Sequence, residues 1–360
     1  MKSLKPYLAA ASVAVAAAVA APHAGACTRV FYRGAGSLFV IGRSLDWKTP
    51  IPTNIYIYPR GISKVSSDKP DHFTWTSRYG AVYAVSYDGG ITEGMNEKGL
   101  VINGLFCKGT IYNAPETDEK RPQMSLAVFV AWMLDQCATT DEVVALLREN
   151  PFDIQGASFD GGTVAALHWG VTDISGKSVI FEFDHGKINI YDMGDYRAMT
   201  NDPVWTNMTA IMNYWQKIGG KNMLPGTVSS PDRCVRANYF AHHVKEVADT
   251  DLAVAICRSV LVNASVPYTY EIEEEPELSS TQWRTYSVPA ALRYYFELVV
   301  NPGYYYVDLN KVDLRKGAPV LKLITADTAN LFWRFFWKIY GIKFLINLFC
   351  DCFLFFFLWP

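Results

Sequence analysis

The residue with the clearest chemical potential is Cys27, which directly follows a pattern that predicts removal of everything before it. A thiolate is a good nucleophile, but a free thiol with a pKa near ~8.5 needs activation. If Cys27 becomes the first residue, its own α-amino group, with a pKa of about 7.7–8.0, can act as the base without a histidine. The pattern therefore predicts nucleophilic catalysis by an N-terminal cysteine.

Arg43 and Asp46 follow at a spacing that would bring them back to Cys27. Two short β-like runs, over 28–33 and 38–43, are separated by a glycine-rich turn and predict a hairpin. Groups at the end of its second strand lie beside the start of its first. An N-terminal nucleophile needs an acceptor for its amine and donors for an oxyanion, so a carboxylate and a cation suit that place. Each alone would more simply be half of a surface ion pair, worth about 0–1 kcal/mol.

Residues 1–26 have the pattern of a signal peptide. Lys2 and Lys5 precede an apolar run over 7–21, and the small residues over 24–26 form a cleavage site. The apolar run is short for a membrane span, although an uncleaved N-terminal anchor is the alternative interpretation. We therefore expect a periplasmic or secreted protein that begins at Cys27.

The competing interpretation of Cys27 is a lipoprotein cysteine that carries a diacylglyceryl anchor. That modification favours a larger apolar residue three positions earlier, where this chain has Ala24. From Cys27 alone, a nucleophile and a lipid anchor stay open. The second hypothesis is thus a lipid-anchored, non-catalytic binding protein.

No pattern in the sequence predicts a metal or a cofactor. The chain lacks H-E-x-x-H, G-x-S-x-G and Walker motifs. His242 and His243 are adjacent on a predicted helix and point in different directions, which disfavours a two-histidine metal site. A net charge of −2 does not indicate the excess of basic residues that is typical of nucleic-acid-binding proteins. Seven cysteines are too few for a disulfide-built scaffold, and the sequence leaves open any bridge among Cys107, Cys137, Cys234 and Cys257.

Blocks of strands alternate with groups of helices along the chain, which predicts an α+β architecture. The strands occur as hairpins, so mainly antiparallel sheets are expected. Strands are predicted over 28–33, 38–43, 54–59, 81–87, 100–106, 164–172, 179–183, 187–191, 282–288, 293–298 and 304–309. Helices are predicted over 125–136, 141–149, 203–218, 231–247 and 251–262.

The C-terminal segment differs from the rest of the chain. We place a single domain over 27–326 and a hydrophobic tail of uncertain status over 327–360. The tail is dense in Phe, Leu and Trp, but charged residues such as Arg334 and Lys338 interrupt it. A membrane segment, a buried helix and a sequence artefact are the three interpretations. Contact with a membrane is predicted only if the tail is real.

Several motifs, taken in order, resemble the choloylglycine hydrolase family of N-terminal nucleophile hydrolases, which includes bile salt hydrolases and penicillin V acylases. The resemblance begins with CTR at Cys27 and GRSLDW over 42–47. It continues to about residue 323, through GMNEKGL at 94–100, LHW at 167–169, TNDP at 200–203, LPG at 224–226, SPDR at 230–233 and QWRT at 282–285.

This resemblance implies a fold and a set of roles. The fold would be a four-layer αββα sandwich of mainly antiparallel sheets. Cys27 would be the nucleophile, with its own α-amine as the base and Asp46 holding the amine and thiol. Arg43 and Arg233 would supply positive charge that favours the thiolate. Asn201 would donate its side-chain amide to the oxyanion.

Phe106 marks a departure within the family pattern. Bile salt hydrolases often carry Asn in the strand after NEKGL, whereas penicillin V acylases often carry an aromatic residue. Phe106 would contribute its backbone N–H to the oxyanion and its ring to substrate binding, although a plain core position is also open. Aromatic residues around Tyr83, Phe106 and Trp132 are candidates to line an acyl pocket, and core packing explains each of them equally well.

The expected function is cleavage of a linear, non-peptide amide whose acyl group is hydrophobic. Conjugated bile salts are the first expected substrate class, with penicillin V and N-acyl homoserine lactones as alternatives. No cofactor and no metal are expected, and a homo-oligomer is left open.

Overall fold

The computed structural model describes residues 27–113, 121–150, 152–156, 158–159, 163–270, 279–301 and 303–325. The predicted signal peptide over 1–26 and the hydrophobic tail over 327–360 lie outside the described residues, so both interpretations stay predictions.

The described strands are numbered along the chain. They are β1 (Thr28–Arg33), β2 (Phe39–Trp47), β3 (Thr53–Tyr58), β4 (Ser63–Val65), β5 (Thr74–Thr76), β6 (Ala81–Ser86), β7 (Gly90–Asn96), β8 (Val101–Phe106), β9 (Gln123–Ser125), β10 (Asp153–Gln155), β11 (Ser158–Phe159), β12 (Thr163–Val164), β13 (Leu167–Thr172), β14 (Ser178–Asp184), β15 (Lys187–Asp192), β16 (Ala198–Met199), β17 (Ser280–Val288), β18 (Arg293–Leu298), β19 (Tyr304–Asp308) and β20 (Leu321–Leu323).

The helices agree with the sequence prediction to within a few residues. They are α1 (Leu126–Gln136), α2 (Thr140–Glu149), α3 (Trp205–Ile218), α4 (Ser230–His243) and α5 (Thr250–Asn263). Side-chain caps fix three of their starts: Ser125, Thr139 and Asp249 each accept a hydrogen bond from a backbone N–H of the first turn. Within the described ranges, each helix is too short or too polar to cross a membrane.

Two large sheets form the body of the protein. The six-stranded sheet has the order β16-β1-β2-β17-β18-β19, and the eight-stranded sheet has the order β15-β14-β13-β8-β7-β6-β3-β20. Every pairing within these two sheets is antiparallel. The prediction of mainly antiparallel sheets is confirmed.

The sheets face each other, and helices cover their outer faces. Helix α4 packs on β1 and β16, and α5 packs on β1, β2 and β17, while α1 packs on β6, β7 and β8. Polar side chains cross the space between the sheets: Arg29 of β1 donates to Asn103 of β8 at 2.8 Å, and Trp283 of β17 donates to Thr53 of β3 at 3.0 Å. This is the predicted four-layer αββα arrangement.

Strand β7 was absent from the sequence prediction. Its residues include Gly90, Thr92, Glu93 and Gly94, which lack the apolar alternation of a half-buried strand. The strand nevertheless lies in the middle of the eight-stranded sheet, and Glu93 is fully buried. Because Glu93 meets polar partners from the other sheet, an apolar side chain is not required there.

Candidate active site

The β1–β2 hairpin brings Cys27 beside the two residues that the sequence analysis paired with it. Cys27 directly precedes β1, and the hairpin register places Thr28 opposite Ser44. The Cys27 Sγ lies 3.8 Å from Arg43 Nη2 and 4.0 Å from the backbone oxygen of Asp46. Cys27 is buried, with 4% of its surface exposed.

The Arg43 guanidinium is held on several sides. Its Nη2 donates to the Gly104 carbonyl at 2.9 Å, and its Nε lies 3.1 Å from Glu93 Oε2. The guanidinium carbon also sits 4.5 Å above the centre of the Trp283 ring. Arg43 is buried, so its charge acts on the nearby Cys27 thiol without much screening by water, while Glu93 offsets part of that charge.

Asp46 is a fully buried carboxylate, and within the described residues one of its two oxygens accepts no hydrogen bond. Its Oδ2 accepts from Ser44 Oγ at 3.4 Å and lies 3.9 Å from Arg233 Nη1. Among the described residues, Asp46 Oδ1 has no hydrogen-bond partner. Burial raises the pKa of Asp46 to about 6, against the opposing pull of the Arg233 charge. The open oxygen makes Asp46 a ready acceptor for a donor placed near Cys27.

Arg233 joins the helical layer to the start of β1. It lies in the first turn of α4, and its Nη1 donates to the Cys27 carbonyl at 3.0 Å and to Thr28 Oγ1 at 2.6 Å. Its Nη2 donates to Asn201 Oδ1 at 3.0 Å. Burial lowers the pKa of Arg233, although the Asp46 carboxylate opposes that shift.

Asn201 follows β16 and is oriented at both ends of its amide. Its Oδ1 accepts from Arg233, and its Nδ2 donates to the Phe106 carbonyl at 2.8 Å. Asn201 is 1% exposed and does not line the cavity beside Cys27. The structure therefore links Asn201 to Cys27 through Arg233 and to the cavity wall through Phe106.

A cavity of about 280 Å³ opens beside the Cys27 thiol. Cys27, Arg43 and Asp46 contribute its polar end. Its apolar wall includes Leu45, Trp47, Ile51, Ile91, Phe106 and Leu167. The Trp47 and Phe106 rings pack against each other with their centroids 5.8 Å apart, so together they form an aromatic part of the wall.

The expected lining by Tyr83 and Trp132 is wrong. Both side chains belong to the core between the eight-stranded sheet and α1, where Tyr83 donates to Asp135 at 2.6 Å. Successive residues of a strand point to opposite faces, so Val82 and Tyr83 of β6 lie in different cores. Aromatic content alone did not indicate which face each side chain would occupy.

Two parts of the site were missed in the sequence analysis. Glu93 is the counter-ion of Arg43, and Trp47 is a wall of the cavity. A charged residue three positions before the NEKGL segment was a signal for Glu93, because a buried acid needs a partner. Trp47 directly follows Asp46 in the sequence, and this position next to a predicted site residue was the signal for Trp47.

A second buried cluster contains Cys107, His168 and Glu182, whose potential ligand atoms lie within 4.8 Å of one another. Both ring nitrogens of His168 already contact protein oxygens, at 2.9 Å from Glu182 Oε1 and 2.7 Å from the Thr200 carbonyl. A metal would have to displace one of these contacts, so the residues do not fit a metal site. The five cysteines of the described residues are all unpaired.

Comparison with known proteins gives consistent matches. The model of the family "linear amide C–N hydrolases, choloylglycine hydrolase family" matches residues 27–330. Penicillin V acylase of Pectobacterium atrosepticum is 35% identical over 321 residues, which cover 83% of this chain and 85% of that protein. A bile salt hydrolase/transferase of Clostridium perfringens is 24% identical over 319 residues, covering 80% of this chain and 94% of that one.

Solved structures show the same pattern. The structure of penicillin V acylase from Agrobacterium tumefaciens superposes with a TM-score of 0.75 at 38% identity, covering 83% of this chain and 91% of that one. A variant of the conjugated bile acid hydrolase from Clostridium perfringens gives a TM-score of 0.69 at 22% identity, covering 83% of this chain and 97% of that one. The second likeness speaks for the fold alone.

Proposed function

This chain belongs to the choloylglycine hydrolase family of linear amide C–N hydrolases, and we propose that it cleaves amides of a compact hydrophobic acyl group, as in penicillin V. Enzymes of this family act on small amide substrates. The observation that carries the finer proposal is the narrow apolar cavity that ends at the Cys27 thiol.

The size of the cavity favours a compact acyl group over a steroid. Its volume of about 280 Å³ lies just below the usual ~300–1,000 Å³ of small-molecule pockets. A phenoxyacetyl group has one aromatic ring that can pack against the aromatic wall of Trp47 and Phe106, whereas a bile acid has four fused rings. Identity also favours this choice, at 35% to a penicillin V acylase against 24% to a bile salt hydrolase/transferase. Conjugated bile salts, the first expected class, have less support.

In the proposed reaction, Cys27 has become the first residue of the chain. Its α-amine takes the thiol proton, and Asp46 Oδ1 accepts a hydrogen bond from the resulting ammonium. The thiolate attacks the acyl carbon, the C–N bond breaks, and the ammonium proton passes to the leaving amine. A water molecule then hydrolyses the thioester, with the α-amine again taking the proton. The acid and free Cys27 are regenerated.

The oxyanion of each tetrahedral intermediate needs donors close to Cys27. The Asn201 amide and the Phe106 backbone N–H are the proposed pair, since Asn201 Nδ2 contacts the Phe106 carbonyl. Asn201 Nδ2 has a second hydrogen that this contact does not use. Arg43 stabilises the thiolate from the other side.

Substrate comparison is the direct test. We expect kcat/KM for phenoxyacetate release from penicillin V to exceed that for glycine or taurine release from bile conjugates by about 10-fold or more, since pocket fit discriminates at this level. N-acyl homoserine lactones of short and long chain form a third series. Preference for bile conjugates would overturn the acyl assignment, and retained hydrolysis by Cys27→Ala would overturn the nucleophile.

Export is part of the proposal, because a free α-amine requires cleavage after Ala26. Mass spectrometry of the purified protein should find an unmodified N-terminal Cys27 in a periplasmic or secreted fraction. A diacylglyceryl adduct on Cys27 would instead support the lipid-anchored binding protein, since it removes both the nucleophile and the base.

A further inference from the structure

The buried pair of His168 and Glu182 lies behind the oxyanion donor. His168 is on β13 and Glu182 on the neighbouring β14, and their exposed fractions are 1% and 4%. Neither residue lines the cavity beside Cys27. Their partners are in the segment that carries Asn201 and leads into α3.

The hydrogen bonds of His168 define its charge. Its Nδ1 lies 2.9 Å from Glu182 Oε1, and its Nε2 lies 2.7 Å from the Thr200 carbonyl. The Thr200 carbonyl only accepts, and Glu182 Oε1 already accepts from the Trp205 N–H. With Glu182 ionised, both ring nitrogens of His168 donate and the ring is an imidazolium. Burial opposes this charge, but Cys107 and Glu182 outweigh it and raise the pKa of His168 to about 10.

The pair holds the segment from Thr200 to Trp205 at both ends. His168 fixes the Thr200 carbonyl, which belongs to the peptide bond that joins Thr200 to Asn201. Glu182 Oε1 also accepts from the backbone N–H of Trp205, the first residue of α3, at 2.9 Å. The Thr200 side chain donates to the Ser230 carbonyl at 3.0 Å, which ties the same segment to the helix that carries Arg233.

We infer that the His168–Glu182 ion pair is a positioning device that fixes Asn201 as the oxyanion donor. This inference rests on the proposed function and adds two residues to it. A charged hydrogen bond to the Thr200 carbonyl resists displacement of the Asn201 backbone, and the Asn201 amide can then meet an oxyanion without prior rearrangement. Neither His168 nor Glu182 touches the reacting atoms.

The groups that face this pair come from several elements. Cys107 follows β8, and its Sγ lies 3.9 Å from Asp202 Oδ1 in the loop after β16. Tyr191 of β15 lies near enough to Glu182 that the carboxylate raises the Tyr191 pKa, after burial. The described cluster thus contains one cation, His168, among several acidic groups.

His168→Gln is the first test variant, because glutamine can donate to one acceptor but carries no charge. We expect kcat to fall about 10–100-fold with KM changed by less than about threefold, the pattern of a contact made in the transition state. Glu182→Gln should act in the same direction. Lys64→Gln is the matched control. Lys64 Nζ lies 2.9 Å from Oδ2 of the buried Asp135, and this ion pair does not line the cavity. We expect the kcat of this variant to equal that of the unchanged enzyme.

A double-mutant cycle separates positioning from general damage. In an Asn201→Ala background, His168→Gln should cost less than about twofold in kcat, because the donor that it positions is gone. Equal losses in both backgrounds would overturn the inference, as would a His168→Gln enzyme with unchanged kcat. If the unchanged enzyme hydrolyses no amide, the proposed function is wrong. That outcome is distinct from a failure of the positioning inference, which concerns only the variants.

A measurement on the unchanged protein covers the case in which the variants fail to fold. Nitrogen NMR of histidine-labelled protein should show one ring with both nitrogens protonated at pH 8. Single Gln variants of His72, His185, His242 and His243 assign this signal to His168, because each of them should leave it unaltered. A neutral His168 ring at pH 8 would overturn the inference, because one of its two acceptors would then lack a donor.

Discussion

The formal charges in contact around Cys27 are balanced. Arg43 and Arg233 contribute two positive charges, and Glu93 and Asp46 contribute two negative ones, each in a buried position. Removing one of the two arginines leaves a buried carboxylate without its counter-ion, which costs about 3–5 kcal/mol. The free α-amine of a mature Cys27 would add a group that titrates near neutral pH, so proton transfer can begin from a balanced site.

Asp46 gives a pH-dependent prediction at this scale. Its pKa is raised to about 6, and the proposed role requires the ionised form. Activity should therefore be present above pH 6 and fall as the pH drops through that value. A pH profile of kcat/KM from 4 to 9 would show this limb, with its midpoint lower if the α-ammonium stabilises the carboxylate. Asp46→Asn should lack the limb and lose about 100-fold or more in kcat.

The stability effect of Asp46 has the opposite sign. A folded-state pKa above the unfolded value means that ionisation opposes folding, so the contribution of Asp46 is favourable at low pH and lost as the pH rises through about 6. Asp46→Asn should therefore raise the melting temperature at pH 8 more than at pH 4. An Asp46→Asn variant that is less stable than the unchanged protein at pH 8 would contradict this expectation. Cys27→Ala is the control, because it is expected to be inactive but keeps Asp46.

At the scale of elements, β8 supplies both a wall and a backbone donor. The Phe106 ring lines the cavity and meets Trp47, while the Phe106 N–H is the proposed oxyanion donor. Side chain and backbone functions can be separated, since a substitution removes only the ring. In the proposed mechanism, the backbone donor at this strand position is the same whether the side chain is Phe or Asn.

Phe106→Ala should change binding more than chemistry. We expect KM for penicillin V to rise about 10-fold or more, with kcat within about fivefold, because the ring is lost and the N–H remains. Longer acyl chains should gain relative to phenoxyacetyl. Tyr83→Phe is the control, since Tyr83 is an aromatic of the neighbouring core that does not reach the cavity. Unchanged KM for all acyl groups would place Phe106 outside the substrate site.

The β13–β14 pair gives a prediction about stability. The raised pKa of His168, about 10 against an ordinary value of 6.5, means that its contribution is fully present below pH 6.5 and lost as the pH rises towards 10. Urea unfolding at pH 6, 8 and 10 should show a stability difference between the unchanged protein and His168→Gln that shrinks at pH 10. A difference that is constant with pH would contradict this charge state.

At the scale of the whole molecule, the two sheets enclose the site between them. Cys27 and Arg43 come from the six-stranded sheet, Glu93 and Phe106 from the eight-stranded sheet, and Arg233 from the helical layer. The helical layer on the other side also contributes, since Leu126 and Ala127 at the start of α1 line the cavity beside Cys27.

Removal of the preceding residues should switch on the activity without changing the fold. A chain that starts at Cys27 and one that retains Gly25 and Ala26 before it form a matched pair. We expect kcat in the extended chain to be lower by about 100-fold or more, since a peptide nitrogen cannot act as the base. Their circular dichroism and melting temperatures should agree closely. Equal activity would show that the α-amine is not the base.

The sequence by itself determined the local parts of this site and the class of fold. A short hairpin must place Arg43 and Asp46 beside Cys27, because few residues separate them and the turn leaves no alternative partner. The helices and the longer strands other than β7 were predicted to within a few residues by their apolar periodicity, whereas the short strands β4, β5, β9, β10, β11, β16 and β20 were not predicted. Asn201 and Arg233 entered through family resemblance, since nothing local connects them to Cys27.

Tertiary structure decided everything that depends on which faces meet. Glu93 is part of the site because β7 lies opposite β2 across the inter-sheet space. Trp132 is not, because its side chain on α1 packs in the other core. His168 and Glu182 support Asn201 only because the eight-stranded sheet meets the segment after β16. Apolar periodicity shows that a face is buried, but the partner that buries it is fixed by packing between distant parts of the chain.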